Sequence, residues 1–566
     1  MIILTAINAK FIHTNLAVRY LYSACKDNNI KNVKICEYTI NNTPEKIVSD
    51  IIKQNPEIIG FSCYIWNIEF ILKLCDDIKK ITPQIKIFLG GPEVSYEYNH
   101  FLENYDCIDY IIYGEGEEAV VALINTITNK EDVKNLFNIA LRENHKIITT
   151  PYKSVNLQNV SSPYKYINDL SEFDNKIIYY ESSRGCPYNC GYCLSSATKG
   201  VHFFKDESVI FDLKRFIDNN VKQVKFIDRT FNCNKNHAIK IWEYLIANDN
   251  NVTNFHFEIS ADLLDEETIS VLKKARKGLF QLEIGVQSSN ENVLKQINRK
   301  SDLKRLKEVV LQLNSFKNIH LHLDLIAGLP YEDLNSFKQS YNFVYQLEPD
   351  QLQLGFLKLL KGSYLRENAQ QLELVYSLYS PYEILHTKWL TYEQLYLLKR
   401  VEELTEKIYN SGLFKNTLKY LQSKFSSPFE LFENLSDYFN KNTLFEQNFS
   451  KNSMMEYIIN FAIEMKDKNY NILYLKNLLC HDSLIKENIR TLPEFLQSYY
   501  DDDIKKRITK YFEKNENKAL KKFGKIQKFD YDVLNSKEEQ KDETFVLYKY
   551  EQKDYNGHYT FEKIII

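Results

Sequence analysis

Short apolar runs alternate with helical patterns through the first 125 residues of this 566-residue chain. Amphipathic segments such as LAVRYLYSACK separate five runs in which Ile, Val, Phe and Tyr are enriched: IILTAIN, VKICEYTI, EIIGFSCYIW, IKIFLGG and DYIIYG. This alternation is typical of right-handed βαβ units with a buried parallel sheet. It predicts a doubly wound, flavodoxin-like α/β domain over residues 1–130, with ligands at the carboxyl ends of its strands.

A second strand–helix series begins at residue 176, after a polar stretch over residues 131–175 that we interpret as a linker. Its six strand-like runs are IIYYESS, VKQVKFID, FHFEIS, FQLEIGVQS, IHLHLDLIAG and DQLQLGFLKL. Six such units predict a partial (β/α)6 barrel over residues 176–375. The pattern then becomes helical and ends in alternating strands around Asn556-Gly557. Residues 376–566 are therefore predicted to be mostly helical and to end in a β-hairpin.

Composition narrows the class of protein. Hydrophobic residues make up 44% and charged residues 26% of the chain, as in ordinary globular proteins. The formal charge of −3 gives no global basic field for nucleic acid. No apolar run reaches the roughly 18 residues of a membrane span, and the N-terminus lacks the pattern of a secretion signal. The expected location is the cytoplasm, where the ten cysteines stay reduced.

Three of these cysteines stand within eight residues, in SSRGCPYNCGYCLSS. Cys186, Cys190 and Cys193 form a C-x3-C-x2-C pattern directly after a predicted strand. Three thiolates in one loop can hold three irons of a [4Fe–4S] cluster and leave the fourth iron open. Zinc is the alternative, with His202 as a candidate fourth ligand, because structural zinc sites take four ligands.

The cysteine loop resembles the signature of the radical S-adenosylmethionine (SAM) superfamily. The resemblance implies that the amine and carboxylate of SAM chelate the open iron. Reduction of the cluster then splits SAM into methionine and a 5′-deoxyadenosyl radical, which requires a reductant such as flavodoxin or ferredoxin. Tyr192 occupies the aromatic position of the signature, close to where adenine binds.

Two further segments, LEIGVQSSNENVLKQINRK and LDLIAGLPYED, resemble the corresponding segment of oxygen-independent coproporphyrinogen oxidases. By that resemblance Gln287 and Asp324 bond the SAM ribose, and Arg299 pairs with the SAM carboxylate, which suits the fork of guanidinium donors. Glu258, on FHFEIS, is expected to reach the amino group or the ribose.

The loop after the second barrel strand departs from the superfamily pattern, because FIDRTFN replaces the usual glycine-rich SAM loop. Asp228 and Asn232 are the candidates for its role. Cys233 either faces the active site or is a packed thiol, and a packed thiol is the commoner case.

The five-stranded domain, standing ahead of such a barrel, resembles the cobalamin-binding domain of the cobalamin-dependent radical SAM subclass. GGPEVS and YGEGEE match the loops that enclose the nucleotide tail. The residues implied are Ser62, Gly90, Gly91, Ser95, Gly114 and Gly116. Composition alone favours a flavodoxin-like domain in which these glycines only form turns.

Domains that ligate cobalt through histidine carry D-x-H-x-x-G, whereas NAKFIHTNL lacks the Asp and the Gly around His13. We therefore interpret His13 as a loop or packing residue and predict base-off cobalamin with no nitrogen on its lower face.

The resemblances together predict an enzyme with a [4Fe–4S] cluster, SAM and cobalamin that methylates an unactivated carbon. Alternatives are a cobalamin-dependent rearrangement or other modification without methyl transfer, and a non-catalytic cluster-binding redox module. The C-terminal region resembles an uncharacterised extension and names no substrate. RNA, a tetrapyrrole, a lipid and a peptide stay open as substrates, with modified tRNA favoured.

Overall fold

The computed structural model describes residues 1–197, 200–448, 450–489, 491–498, 500–514, 518–535, 539–553 and 557–566. The chain divides into two compact units. The first comprises Met1–Leu321, Gly328–Asp333 and Phe356–Thr391, and the second comprises His322–Ala327, Leu334–Gly355 and Tyr392–Ile566.

The strands, in chain order, are β1 (Ile2–Asn8), β2 (Val33–Thr39), β3 (Ile58–Ser62), β4 (Lys86–Gly90), β5 (Tyr110–Ile112), β6 (Ile139–Glu143), β7 (Lys146–Thr149), β8 (Ile177–Tyr180), β9 (Ser183–Cys186), β10 (Gly200–Phe203), β11 (Gln223–Phe226), β12 (Asn254–Ile259), β13 (Phe280–Gln287), β14 (His320–Ala327), β15 (Gln351–Phe356), β16 (Val375–Tyr376), β17 (Ile384–His386), β18 (Gly524–Phe529), β19 (Thr544–Lys553) and β20 (Tyr559–Ile564).

The α-helices are α1 (Leu16–Asp27), α2 (Pro44–Ile52), α3 (Ile68–Ile81), α4 (Pro92–Ser95), α5 (Tyr98–Asn104), α6 (Glu117–Asn129), α7 (Asp206–Asp218), α8 (Lys235–Ala247), α9 (Glu266–Lys273), α10 (Glu291–Gln296), α11 (Leu303–Phe316), α12 (Leu334–Gln346), α13 (Tyr364–Glu367), α14 (Tyr392–Leu404), α15 (Lys415–Gln422), α16 (Pro428–Lys441), α17 (Lys451–Glu464), α18 (Ile472–Lys486), α19 (Asp502–Lys514) and α20 (Lys518–Phe523).

The N-terminal sheet has the order β2-β1-β3-β4-β5-β6-β7, and its first five strands are parallel. All seven residues of β1 are buried, as expected for a central parallel strand covered by helices on both faces. One apolar cluster beside the sheet includes Ile3 and Ile71, and another includes Leu4 and Leu123. The predicted doubly wound parallel sheet is therefore present.

The segment interpreted as a linker contributes two strands to this sheet. β6 pairs antiparallel with β5, and β7 pairs antiparallel with β6. Asn144 and His145 form the turn between them with φ values of 48° and 61°. Two positive φ values are what a two-residue hairpin of type I′ requires. The pair Asn-His lacks the glycine that usually marks such a turn, so the hairpin has a weak signal in the sequence.

Strands form at all six places predicted for the second series. In the first unit the parallel order is β13-β12-β11-β8, and in the second unit β15 lies beside β14. One face of each first-unit strand packs on helices, as where Phe257 meets Trp242 of α8. The short strands β9 and β10 pair antiparallel and flank the cysteine loop, a feature that the strand–helix pattern did not predict.

The C-terminal part of the second unit is mostly helical and carries a three-stranded antiparallel sheet, β18-β19-β20. β19 and β20 form the predicted hairpin, whereas Asn556 of the predicted turn lies outside the described residues. Among the helices that the structure describes, none has the length and apolarity to cross a membrane. The predicted fold class is confirmed: two α/β series with parallel strands precede a mostly helical region that ends in a hairpin.

Candidate functional site

The cysteine loop follows β9, and hydrogen-bond donors lie near its three sulfurs. The Ser195 amide N–H donates to Sγ of Cys193 (3.4 Å), and Oγ1 of Thr230 lies 3.5 Å from Sγ of Cys186. Cys190 is buried, and a guanidinium nitrogen of Arg299 lies 4.0 Å from its sulfur. Donors and a cation around three thiols suit thiolates that ligate a cluster.

Arg299 and Tyr192 lie together beside this loop. Nη1 of Arg299 donates to the Tyr192 hydroxyl (3.2 Å), and Nη2 donates to the carbonyl oxygen of Gly285 on β13. Within the described residues, Nε of Arg299 is buried and has no hydrogen-bond partner. A buried donor without a partner is costly, and an acceptor from a bound ligand would remove that cost.

Gln287 ends β13 with φ of 70°, a left-handed backbone conformation that residues other than glycine rarely adopt. Its Oε1 atom is buried and has no partner among the described residues. The Gln287 amide folds over Gly285, where an added Cβ would lie 2.3 Å from Nε2 of Gln287 and 3.3 Å from Nη2 of Arg299. The structure therefore brings Tyr192, Gln287 and Arg299 together at the cysteine loop.

Glu258 and Asp228, which are also predicted to contact SAM, lie on or after neighbouring strands of the sheet. Glu258 is half-buried on β12, one residue before the strand ends. Asp228, fully buried after β11, accepts hydrogen bonds from the Ser182 amide (2.9 Å) and from the hydroxyls of Ser182 (2.7 Å) and Ser183 (2.6 Å). Burial raises the pKa of Asp228 to about 6 despite these bonds. Asp228 therefore anchors the segment that leads into β9, and its contact with SAM stays a prediction.

Asp324 belongs to the second unit, on β14, where its Oδ1 lies 3.0 Å from Nε2 of His322. The amide of Asn232 exchanges hydrogen bonds with the backbone of Ser260 and so joins the loops that follow β11 and β12. Burial and then the neighbouring Cys186 thiol raise the pKa of Cys233 to about 11. The SAM roles of Asp324 and Asn232 stay predictions.

The residues predicted to hold cobalamin lie at the carboxyl edge of the N-terminal sheet. The Ser95 hydroxyl donates to the Gly91 carbonyl (2.8 Å) and accepts from the Gly114 amide (3.3 Å), so it joins the two glycine-containing loops. Gly91 has φ of 113°, and a Cβ there would lie 2.5 Å from the Cys63 carbonyl oxygen. Asn15 donates to the Ser62 hydroxyl (3.0 Å).

The remaining three glycines at this edge are packed to different degrees. A Cβ on Gly114 would lie 2.7 Å from the Tyr152 ring, and one on Gly116 would lie 3.1 Å from Leu21. A Cβ on Gly90 would meet its neighbours at ordinary distances, from 3.5 Å. The chain's own packing therefore explains Gly91 and Gly114, while their role toward cobalamin stays a prediction.

Arg184 connects the two predicted cofactor edges. It lies two residues before Cys186, and its guanidinium pairs with Glu115 (3.2 Å) and Glu117 (2.5 Å) of the YGEGEE loop and with Glu181 (2.8 Å). Oε2 of Glu117 is buried with no partner among the described residues. The cluster segment and a predicted cobalamin loop are thus held side by side by one shared cation.

A second connection runs through residues 360–366, which we call the strut. Nζ of Lys361 pairs with Oε1 of Glu93 (2.9 Å), and both side chains are less than a tenth exposed. At the other end of the strut, the Leu365 amide N–H donates to the carbonyl of Gly191 in the cysteine loop (2.9 Å). A Cβ on Gly362 would lie 2.4 Å from the Tyr96 ring. The strut therefore contacts both edges.

His13 lies in the loop after β1, and its Nδ1 atom is 2.7 Å from the Tyr179 hydroxyl on β8. Burial lowers the pKa of His13, as do the nearby Lys10 and Lys225. This placement suits a packing role, and the predicted absence of a cobalt ligand here stays a prediction.

Three family models match separate parts of the chain. Residues 2–124 match the B12 binding domain, residues 180–344 match the radical SAM superfamily, and residues 370–548 match a protein family of unknown function, DUF4080. The unsatisfied atoms of Gln287 and Arg299 beside three clustered cysteines fit the SAM and [4Fe–4S] group of the second model.

The relatives point to the same family. The uncharacterized methyltransferase PH0819 of Pyrococcus horikoshii is 23% identical over 363 residues, which are 62% of this chain and 78% of that protein. The cobalamin-dependent radical SAM methyltransferase TokK of Streptomyces tokunonensis is 24% identical over 310 residues, 50% of this chain but only 44% of its own length. The cobalamin-dependent SAM radical enzyme OxsB shares the fold, with a TM-score of 0.61 and 15% identity over 90% of this chain and 83% of OxsB.

The chain thus joins a B12 binding domain to a radical SAM domain, which is the combination found in the cobalamin-dependent radical SAM enzymes. The predictions of a [4Fe–4S] cluster, SAM and cobalamin as its cofactors are confirmed by the two family models. The zinc alternative is set aside, since the segment that carries the three cysteines matches the radical SAM model.

Sequence reasoning missed the residues that hold the two edges together. Arg184 stands inside the motif SSRGC, and Lys361 interrupts the apolar run FLKLLKGSYL. A lysine within an apolar run can indicate a buried ion pair, but it does not identify the partner. The acidic loop YGEGEE, which has no cation nearby in sequence, was the matching signal for Arg184.

Proposed function

We propose that this enzyme transfers a methyl group from SAM, by way of cobalamin, to an unactivated carbon of its substrate. The observation that carries this proposal is the direct pairing of Arg184, beside the cluster cysteines, with Glu115 and Glu117 of the cobalamin loop. Radical formation and methyl donation need neighbouring cofactors, and this contact fixes the two edges within one compact unit. The methyltransferase names of the relatives support the same reaction.

When bound, the cluster and SAM supply a hydrogen-abstracting radical, and cobalamin supplies the methyl group. The substrate loses one hydrogen atom to the 5′-deoxyadenosyl group and gains one methyl group. The overall balance is two SAM and two electrons consumed for one methionine, one 5′-deoxyadenosine and one S-adenosylhomocysteine. The electrons come from a reductant of the flavodoxin or ferredoxin class.

The chain's own residues bind and orient these groups. Arg299 offers its Nε donor to the SAM carboxylate, and Gln287 offers Oε1 to a hydroxyl of the ribose, so neither buried atom stays without a partner. Tyr192 closes the side of the loop against water, because its ring is largely buried and its hydroxyl accepts from Arg299. Cobalamin is bound at the carboxyl edge of the N-terminal sheet, by Ser62, Gly90, Gly91, Ser95, Gly114 and Gly116.

The test is product analysis with reconstituted, cobalamin-loaded protein, SAM and a chemical reductant. Formation of both 5′-deoxyadenosine and S-adenosylhomocysteine is expected. 5′-Deoxyadenosine without S-adenosylhomocysteine would contradict methyl transfer and favour a rearrangement. Absence of both would favour a non-catalytic cluster-binding module.

A further inference from the structure

Asp228 is a buried carboxylate that neutral groups hold in place. It is 1% exposed, and it accepts hydrogen bonds from the Ser182 amide and from the hydroxyls of Ser182 and Ser183. Among the residues that the structure describes, no Lys, Arg or His forms an ion pair with it. A buried carboxylate without a cation is costly in its charged form, so a small change in its surroundings is enough to make it take up a proton.

A chain of hydrogen-bonding groups leads from Asp228 toward the surface. The Ser182 hydroxyl donates to Oδ1 of Asp228 (2.7 Å) and lies 2.9 Å from Nε2 of His237 on α8. Because the hydroxyl has only one proton, Nε2 of His237 carries the hydrogen of the second bond. Nδ1 of His237 lies 3.6 Å from Oδ1 of Asp206, whose side chain is 41% exposed. We call Asp206, His237, Ser182 and Asp228 the relay.

Titratable groups face the inner end of the relay from three sides. Burial raises the pKa of Asp228 to about 6, and the charge of Glu181, which pairs with Arg184, adds to the rise. The Cys233 thiol and the Tyr180 hydroxyl also lie within electrostatic range of Asp228. None of these neighbours supplies a cation directly to the Asp228 carboxylate, so a proton is the simplest way to neutralise it.

The outer end of the relay suits the transfer of a proton. Burial lowers the pKa of His237, whereas Asp206 opposes this effect and Lys240, which pairs with Asp206 (2.6 Å), adds to it. The rings of Phe203 and Phe231 lie 4.8 and 6.1 Å from the His237 ring. A histidine that is neutral at pH 7 in such surroundings passes a proton on and does not store it.

Asp228 is connected to Cys186 through the segments on both sides of it. Ser183, which donates to Oδ1 of Asp228 (2.6 Å), begins β9, and Cys186 ends the same strand. Thr230 follows two residues after Asp228, and its hydroxyl lies 3.5 Å from Sγ of Cys186. Charges interact strongly across buried protein of low dielectric constant, so a negative charge added at the cysteine loop favours the protonated form of Asp228.

We infer that Asp228 takes up one proton through His237 and Ser182 when a reductant of the flavodoxin or ferredoxin class delivers one electron to the cluster. The electron makes the cluster more negative by one unit, and the proton makes Asp228 neutral, so the net charge of this buried region stays the same. One proton enters at Nδ1 of His237, one passes from Nε2 to the Ser182 oxygen, and the hydroxyl proton passes to Oδ1 of Asp228. The inference rests on the cluster and not on methyl transfer.

The first experiment is a redox titration of the reconstituted full-length protein without SAM, followed by electron paramagnetic resonance of the reduced cluster at several pH values. Below about pH 6 Asp228 holds its proton in both redox states, so the midpoint potential should not depend on pH. Above this pH reduction takes up a proton. The potential should then fall by about 59 mV per pH unit, the value for one proton per electron, until the pKa of Asp228 in the reduced protein is reached.

Asp228→Asn removes the proton-binding group, and its potential should not change with pH. Asp212→Asn is the matched control. Asp212 is also a carboxylate with 1% exposure and a pKa raised by burial to about 6, but it accepts from Ser162 (2.8 Å) and Tyr180 (3.2 Å) and not from β9. The control should keep the full dependence of the potential on pH.

A second experiment tests the path of the proton. A pH-indicating dye in weakly buffered solution follows proton uptake after rapid mixing with photoreduced deazaflavin, and Asp228→Asn gives the background from the reductant. In His237→Gln the dependence of the potential on pH should stay, because Asp228 is still present. Proton uptake should become slower by about tenfold or more, because Gln does not accept and release a proton as imidazole does.

Three results would overturn the inference: a potential that is independent of pH in the parent, a dependence that persists in Asp228→Asn or is lost in Asp212→Asn, and equal rates of proton uptake in the parent and His237→Gln. If Asp228→Asn does not hold its cluster, the parent and His237→Gln still decide the question. Neither experiment contains SAM, so failure of methyl transfer leaves these results unchanged. The two proposals therefore fail separately.

Discussion

The two cofactor edges of the first unit are prepared for their ligands in different ways. At the edge of the N-terminal sheet, hydroxyl groups already bond to the chain itself, as Ser95 does to Gly91 and Gly114. At the cysteine loop, buried polar atoms of Gln287 and Arg299 have no partner among the described residues. The first edge is therefore characterised by close packing of backbone on backbone, as at Gly91 and Cys63. The second edge is characterised by buried polar atoms whose hydrogen bonds a ligand could complete.

This difference predicts how a substitution acts at each edge. Loss of a side chain at the cysteine loop removes a ligand contact directly, because the contact is made by that side chain. The cobalamin edge depends instead on what holds its loops, chiefly the buried pair between Lys361 and Glu93. Substitutions there act through the position of the backbone.

The largest effect is expected at the cluster itself. Replacing Cys186, Cys190 and Cys193 together with Ala removes all three thiolates, and we expect the roughly four irons per chain to be lost completely. Anaerobic iron and sulfide analysis, with the absorbance of the thiolate-to-iron band, measures the change.

Cys233→Ala is the matched control, because this thiol is close to Cys186 without being part of the motif. It should keep its iron. Iron retained by the triple variant, or lost from the control, would contradict the assignment of the ligands.

The next effect concerns the strut. Lys361→Met leaves Glu93 buried without its cation, and we expect the free energy of unfolding to fall by about 3–5 kcal/mol. Denaturant unfolding under anaerobic conditions measures the change, with Lys358→Met, an exposed lysine on the same segment, as the control.

The double variant Lys361→Met, Glu93→Gln should recover part of this loss, because the stranded charge is also removed. Equal stability of Lys361→Met and the Lys358→Met control would show that the pair does not hold the cobalamin edge.

A smaller effect is expected at the SAM edge. Arg299→Ala should weaken SAM binding by about 2–3 kcal/mol, roughly 30- to 150-fold, because a buried carboxylate loses its charged partner. Anaerobic titration calorimetry of the reconstituted protein measures the affinity. Arg305→Ala, a partly exposed arginine on α11, should bind SAM as before. Unchanged affinity in Arg299→Ala would show that the residue is misassigned.

The smallest effect belongs to His13. His13→Ala loses the contact with the Tyr179 hydroxyl, worth about 1 kcal/mol of stability. The electron paramagnetic resonance spectrum of Co(II) cobalamin should show no nitrogen superhyperfine triplet in the parent or in the variant. A triplet in the parent that disappears in His13→Ala would make His13 the lower ligand of cobalt.

Much of the fold could be predicted because apolar periodicity marks every parallel strand, from IILTAIN to DQLQLGFLKL. The hairpin of β6 and β7 was not predicted, because its turn, Asn144-His145, lacks the usual glycine. The strand β18 was not predicted separately within the mostly helical C-terminal region, because Lys525 and Lys528 interrupt its apolar positions, although Ile526 and Phe529 are buried. In both cases tertiary pairing outweighed local composition.

The site was predictable to the extent that its residues share a motif. The cysteines, Tyr192, Gln287 and Arg299 are named by local sequence and converge in the structure. Lys361 and Arg184 were not predicted, because their partners Glu93 and Glu117 stand 268 and 67 residues away and the sequence signals do not say which residues pair. Buried ion pairs of this kind leave little trace in one sequence.

The most direct test of the account is the metal content of a single preparation. After anaerobic reconstitution and incubation with hydroxocobalamin, gel-filtered protein is analysed for iron, sulfide and cobalt. The account predicts about four iron, four sulfide and one cobalt per chain, held together by the same folded protein. Full iron and sulfide without cobalt would contradict it and leave a radical SAM enzyme whose first 125 residues form a sheet without cobalamin.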